Sequence, residues 1–337
     1  MYILGLYFIC LLPNTSVFAQ QNELIIQEWA VPWEKTRPRD PFVASDGKVW
    51  FVGQAGHYAA SFDIGTETFN RIDLPTGAGP HNLIVDSKGS IWYTGNKVAH
   101  IGRIDPQAPR EEQITQFPTP IENAADPHTL IEADDGMLWF TSQWGNSIGR
   151  LDPTSGNIDI IDVPTSRARP YGIDIASDGK PWVVLLGTNK LAHIDPTTLS
   201  LTEIELPRAA ARPRRIGITS DDLIWYVDYA EGYVGHFNPK TQSFSEWPTP
   251  GRTSNGSRGS GPYAMTVDAN DRIWFVETFP KPNQFVGFDP KLEEFINVSS
   301  IPSGGGVVRH MHYDQPSHSI WFGTDTNNLG RAQLPTQ

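Results

Sequence analysis

The chain has 337 residues, a formal net charge of −12 and a single cysteine, Cys10. Such acidity argues against nucleic acid as a partner. One cysteine excludes disulfides and zinc–thiolate sites.

Taken in chain order, residues 1–20, "MYILGLYFICLLPNTSVFAQ", read first as a secretory signal peptide. An apolar core of about a dozen residues ends in the small residues of "SVFA", with cleavage expected near Ala19–Gln20. The core is short for a membrane span, and an uncleaved anchor is the alternative to a cleaved signal. The expectation is an exported protein, periplasmic or secreted, with no stable membrane partner. The mature chain would have no cysteine, which suits an oxidising compartment. Residues 21–337 are expected to form one domain.

The next segment, "IIQEWAVP" at 25–32, is strand-like with nothing before it. A unit then repeats seven times, phased on Trp50, Trp92, Trp139, Trp182, Trp225, Trp274 and Trp321, at spacings of 42–49 residues. Eleven residues before these tryptophans lie Arg39, His81, His128, Tyr171, Arg214, Tyr263 and His310, and proline precedes all but the last. An apolar run and a polar turn, as in "VASDGKVW" or "IVDSKGSIW", lead to each tryptophan, and the turn residues favour a hairpin. A third strand ends near "HIGRIDP" or "SIGRLDP", and a fourth follows, as in "QITQFPTP".

Four short strands per unit, seven times, predict an all-β, seven-bladed β-propeller of antiparallel blades. The seventh unit stops after its third strand, so residues 25–32 are expected to complete it and close the ring. The tryptophans are expected between blades.

The first strand of a propeller blade lines the central channel. The seven positions before the tryptophans should therefore ring one mouth of it. Residues three after each tryptophan (among them Ser142, Asp228 and Glu277) and two before each ring position (among them Asp126) should sit at the same mouth. Wet mouths collect polar residues without any chemistry. Arginine and histidine concentrated at one ring of an acidic chain nevertheless favour a functional site.

On these residues the chain resembles the virginiamycin B lyase (streptogramin lyase) family, through "GPH", "DPH", "RPYGI", "IWF" and "IGRIDP" over nearly the whole mature chain. The resemblance implies a seven-bladed propeller that opens cyclic depsipeptide antibiotics by β-elimination at an ester, with magnesium. It also implies a ring histidine on one blade. The next blade has an acid two before a second ring histidine, and a glutamate three after its tryptophan. His81 matches the first histidine, and Asp126 and His128 match the acid and the second histidine; Ser142 stands where the family has glutamate. Glutamate and aspartate occur at that position only on the blades of Glu277 and Asp228, whose ring residues are Tyr263 and Arg214.

β-Elimination needs a base for the α-proton and positive charge for the developing enolate. His128 is the expected base. Asp126 or Glu277, with His81, is expected to hold Mg²⁺, with Ca²⁺ as the alternative. Arg39 and Arg214 would clamp a carboxylate or polarise a carbonyl. Tyr263 and Tyr171 would stack or donate a hydrogen bond. The expected partner is a small-molecule or peptide-like substrate in the funnel of a monomer. Two other functions fit the same scaffold. One is a calcium-dependent lactonase of the gluconolactonase type, using Glu277, Asp228 and Asn189; the other is a non-catalytic propeller that binds a peptide or glycan.

Overall fold

The computed structural model describes residues 23–253 and 259–335; the expected signal peptide lies outside the described residues. Seven four-stranded antiparallel sheets follow one another along the chain, as expected for a propeller. Their innermost strands are Pro38–Val43, Leu83–Val85, Pro127–Glu132, Pro170–Ile175, Pro213–Ile218, Pro262–Val267 and Val308–Asp314, one for each of blades one to seven. The strand Ile25–Ala30 pairs antiparallel with Asn328–Gln333, Ile25 opposite Gln333 and Ala30 opposite Asn328. The N-terminal strand thus supplies the outer edge of blade seven and closes the ring, leaving no blade one strand short.

The phased tryptophans form the seams. Trp50 packs with Leu83 and Tyr93 of blade two, and Trp92 with Leu130 and Phe140 of blade three. The pattern runs round to Trp321, which packs with Val49 and Phe51 of blade one. Seven tryptophans therefore serve seven interfaces, each the size of a small core. Glycine makes room for the ring that follows three of them, Tyr93, Phe140 and Phe322. A Cβ on Gly102 would meet the Tyr93 ring at 2.1 Å, and one on Gly149 the Phe140 ring at 2.0 Å. No helix among the described residues is long and apolar enough to cross a membrane.

The innermost strands are not regular. In blade three Pro127 pairs with Ser142, but the next pair is Leu130 with Phe140, so three steps on one strand match two on the other. The same shift occurs at Pro170/Ile173, Pro262/Met265 and Val308/Met311. Blade five shifts between Pro213 and Arg215, and blade one between Arg39 and Phe42. Such a bulge re-aims side chains. Here it falls at the ring position, which in every blade but the seventh follows a proline that has no N–H to give the ladder.

Candidate active site

Because of the bulge, two successive residues of several innermost strands face the channel: the ring residue and the one after it. Arg39 Nη1 donates to His81 Nε2 at 3.0 Å, and Arg39 Nε to Asp40 Oδ1 at 2.9 Å. Asp40 Oδ2 accepts from Asn82 Nδ2 at 3.0 Å and lies 3.8 Å from Arg215 Nη2. The His81 and His128 rings are 3.5 Å apart at their centroids, and His128 and Tyr171 are 4.0 Å apart. The Tyr171 and Tyr263 hydroxyls share a short hydrogen bond. Arg214 lies over the Tyr263 ring at 3.6 Å. Arg215 crosses the channel, donating from Nε to the Arg309 carbonyl at 3.0 Å and from Nη1 to Thr129 Oγ1 at 3.1 Å. That hydroxyl is also 2.9 Å from His128 Nδ1.

These residues form a floor. Arg39, His81, His128, Tyr171, Arg215 and Tyr263 are buried, while Arg214 and His310 are partly exposed. Guanidinium only donates, so His81 Nε2 is an acceptor and its proton sits on Nδ1. Buried atoms with no hydrogen-bond partner include His81 Nδ1, His128 Nε2, His310 Nδ1, Arg39 Nη2 and Arg214 Nε. Unmet donors and acceptors at one spot are costly in a folded protein. Their concentration here points to a ligand that meets them.

The charge balance is positive: Arg39, Arg214 and Arg215 face one carboxylate, Asp40. Burial, then Arg39, holds the His81 imidazole well below its ordinary range. Burial, then Arg215 and Arg39, does the same to His128. Burial and Arg215 bring His310 down to about 3. All three are therefore neutral near pH 7. Burial pushes the Tyr171 phenol up, but Arg214, Arg215 and Arg39 together outweigh it and bring it down to about 8. Its partner Tyr263 is pushed up to about 12 by burial and by Tyr171. Desolvation opposes ionisation of Asp40, but Arg39, His310 and Arg215 overcome it and keep the carboxyl below the ordinary range.

The rim acids do something else. Asp126 accepts from Ser142 Oγ at 2.5 Å and from the Trp144 and Gly145 amides at 2.8 and 3.0 Å. Asp228 accepts from the Arg212 and Ala230 amides at 2.9 and 3.0 Å and binds Arg208 at 2.7 Å. Glu277 Oε1 accepts from the Gly251 amide at 2.9 Å, while its Oε2 has no partner. Asn189 turns its amide onto Glu205 and the Leu206 carbonyl. Magnesium and calcium take oxygen ligands, and the expected set does not assemble. Among the described residues no group of three or more His, Cys, Asp or Glu is placed to hold a metal ion. Asp126 is occupied by Ser142 and the amides of the turn after it, and His81 Nε2 by Arg39. Three guanidiniums at the floor also repel a dication.

The structure thus brings together Arg39, His81, His128, Arg214 and Tyr263, and leaves Asp126 and Glu277 outside that group. It adds Asp40, Asn82, Thr129 and Arg215, each directly after a ring residue, which strict strand alternation would turn away from the channel. Two polar residues in a row at the start of a channel strand, "RD", "HN", "HT" and "RR", were the available signal.

Comparison with known proteins gives the family and the fold. The profile of the Virginiamycin B lyase family matches residues 14–277. A streptogramin B lyase structure is 26% identical, with 93% of this chain and 98% of that chain covered and a TM-score of 0.81. Selenomethionine-substituted virginiamycin B lyase from Staphylococcus aureus is 24% identical, with 93% and 100% covered and a TM-score of 0.82. The same coverage, identity and score hold for a catalytically inactive histidine-to-alanine variant of that lyase with quinupristin. No curated protein sequence matches.

Proposed function

The chain belongs to the virginiamycin B lyase family, and on that footing we propose that it is a carbon–oxygen lyase acting by β-elimination on an acid- or ester-bearing substrate held in the funnel. The observation that carries this reading is the channel floor: a free imidazole nitrogen, His128 Nε2, beside a phenol of lowered pKa and three guanidiniums. His128 Nε2 takes the α-proton. The electron pair moves into the new double bond, and the β C–O bond breaks. Tyr171 returns a proton to the leaving oxygen, its pKa near working pH being suited to a general acid. Arg39 and Arg214 hold the substrate carboxylate or carbonyl and the charge that develops on it. His128 and Tyr171 are neighbours, so both proton transfers occur on one face of the substrate. An anionic substrate also offsets the positive floor, and with it the part of the depression of His128 that comes from Arg215 and Arg39 rather than from burial.

A metal-assisted step has no assembled donor set among these residues, so the guanidiniums take the role of the cation. The test is product mass. Elimination splits or opens a substrate without adding water and creates an ultraviolet-absorbing unsaturated carbonyl, whereas hydrolysis adds a water. Products heavier by one water would replace the lyase reading with the lactonase one. No product from acid- or ester-bearing substrates would leave a binding propeller.

A further inference from the structure

Beside Arg214 the mouth opens into a hollow of about 530 Å³ lined by Arg167, Arg169, Arg212, Arg214, Gln143 and Tyr229. Four arginines converge there in a chain whose net charge is −12. Nearby Arg208 is fully engaged, meeting Asp228, Glu231 and Glu246. The four lining arginines have no carboxylate within ion-pair distance among the described residues. Arg169 rests on the Trp144 ring at 4.2 Å. Arg212 Nη1 donates only to the Ala209 and Ala211 carbonyls. Arg214 stacks on Tyr263 and Tyr229 and keeps a buried, unpartnered Nε.

Uncompensated like charges repel, and natural surfaces intersperse the two signs. Such a cluster is stable when an anion completes it. Arg169 also occupies a costly backbone position, with φ of 55°; the equivalent places carry Gly79 and Gly261 at φ of 50° and 64° on blades two and six, and Arg37, paired with Asp325, at φ of 54° on blade one. A side chain kept where glycine is easier points to use of that side chain.

The hollow continues outward. Gln143, Arg167 and Arg169 also line a second space of about 460 Å³ with Ser166, Asn146 and Trp144. The Trp144 side chain is an exposed large hydrophobic, at 68%. Together the two spaces form a groove of guanidiniums, an amide, a hydroxyl and an indole. Carboxylates pair with guanidinium forks. Sugar hydroxyls use the amide and hydroxyl groups, and the C–H face of a sugar ring suits an indole. An acidic peptide offers carboxylates but no ring hydroxyls or sugar face to match the amide, the hydroxyl and the indole.

From this we infer that the groove over blades three to five binds an acidic oligosaccharide, its uronate carboxylates pairing with Arg167, Arg169 and Arg212 and leading one carboxylate to Arg214 at the channel floor. The inference rests on the proposed lyase for what happens next. In that sugar the proton beside the carboxylate passes to His128, the electrons form a C=C bond, and the glycosidic oxygen on the β-carbon leaves with a proton from Tyr171. Atoms balance with no added water or oxidant.

The experiment is calorimetric titration of the purified chain with tetragalacturonate, with its methyl-esterified form, and with tetraglutamate, at low and moderate salt. Parallel incubations are read by ultraviolet absorbance. Tetragalacturonate is expected to bind, with affinity falling as salt rises. An Arg169→Gln, Arg212→Gln double variant is expected to weaken it at least tenfold, and the matching lysine variant to recover part of that. Equal binding of the neutral ester, unchanged affinity in the glutamine double variant, or binding of tetraglutamate alone would each overturn the groove assignment. Binding of tetragalacturonate without an unsaturated product leaves the groove assigned and overturns elimination from a uronate chain, while the lyase reading is decided by the product-mass test on other acid- or ester-bearing substrates.

Discussion

The channel floor and the funnel rim are built from the same strands, a few residues apart, yet they handle charge in opposite ways. At the rim, Asp126 and Asp228 are saturated: each accepts two or more backbone amides, plus Ser142 or Arg208. At the floor, His81, His128, His310 and Arg39 each keep a buried atom with no partner. Satisfied polar groups hold a structure together, and unsatisfied ones await something else. In this propeller the rim carboxylates shape the loops, and the floor imidazoles and guanidiniums are left for the proposed reaction. The difference arises from local geometry. A bulge turns the ring residues inward, whereas the rim acids lie where the connecting loop folds back over them and presents its N–H groups.

That division is most directly broken by substitution at the floor. Tyr171→Phe and His128→Gln are each expected to lower kcat by roughly 10²–10⁴-fold, the scale of a lost general acid or base, with little change in melting temperature. The measurement is turnover on the best substrate beside a thermal melt. Loss of folding in both variants, or full turnover in either, would return these residues to a structural role. The rim should answer in the reverse sense. Asp126→Asn and Asp228→Asn each weaken charge-assisted bonds to loop amides. Each is expected to lose about 1–3 kcal/mol of stability, seen as a lower denaturation midpoint, while turnover per folded molecule stays within about threefold. If either variant were as stable as the parent but inactive, the rim acids would belong to the catalytic machinery after all.

A pH profile sharpens the contrast within the floor. His128 is held neutral by burial and by Arg215 and Arg39, so no acid limb is expected near the ordinary histidine value. Tyr171 must be protonated to donate, and its phenol stands at about 8. Activity is therefore expected to be level at neutral pH and to fall as pH rises through about 8. In Tyr171→Phe the alkaline fall should disappear. An acid limb near 6.5 with no alkaline one would give the proton transfers to a solvated histidine and sink the assignment of Tyr171 as acid.

How far these roles were legible in the sequence differs between the two regions for the same physical reason. The tryptophan phase fixes the blades because each indole must fill a seam, and strand 25–30 closes blade seven because that blade lacks only a fourth strand. Ring residues such as His81 and His128 follow from counting back eleven positions. Asp40, Thr129 and Arg215 did not follow, because strand alternation puts a neighbour on the opposite face and only the bulge brings both inward. The fate of Asp126 was hidden as well. A carboxylate near a histidine looks like a ligand until the Trp144 and Gly145 amides are seen to enclose it.

Glu277 is the rim acid that does not conform, and it offers the finest test. Burial raises its carboxyl above the usual value, and the Gly251 amide with the Thr249 and Ser260 hydroxyls offsets only part of this. Its Oε2 remains without a partner. A raised carboxyl contributes stability that is present below its unfolded pKa and is lost as pH rises through the folded one. Glutamine is neutral throughout and can keep the bond from the Gly251 amide. Glu277→Gln is therefore expected to match the parent at acidic pH and to gain up to about 1 kcal/mol at pH 7, read as a small rise in denaturation midpoint. Repeating the melts with millimolar Mg²⁺ or Ca²⁺ separates two meanings of the free Oε2. Stabilisation of the parent by either ion, absent in Glu277→Gln, would make this carboxylate a ligand that the bare side-chain geometry does not assemble. No such difference would leave Glu277 a strained loop anchor, and the floor arginines the source of positive charge for the reaction.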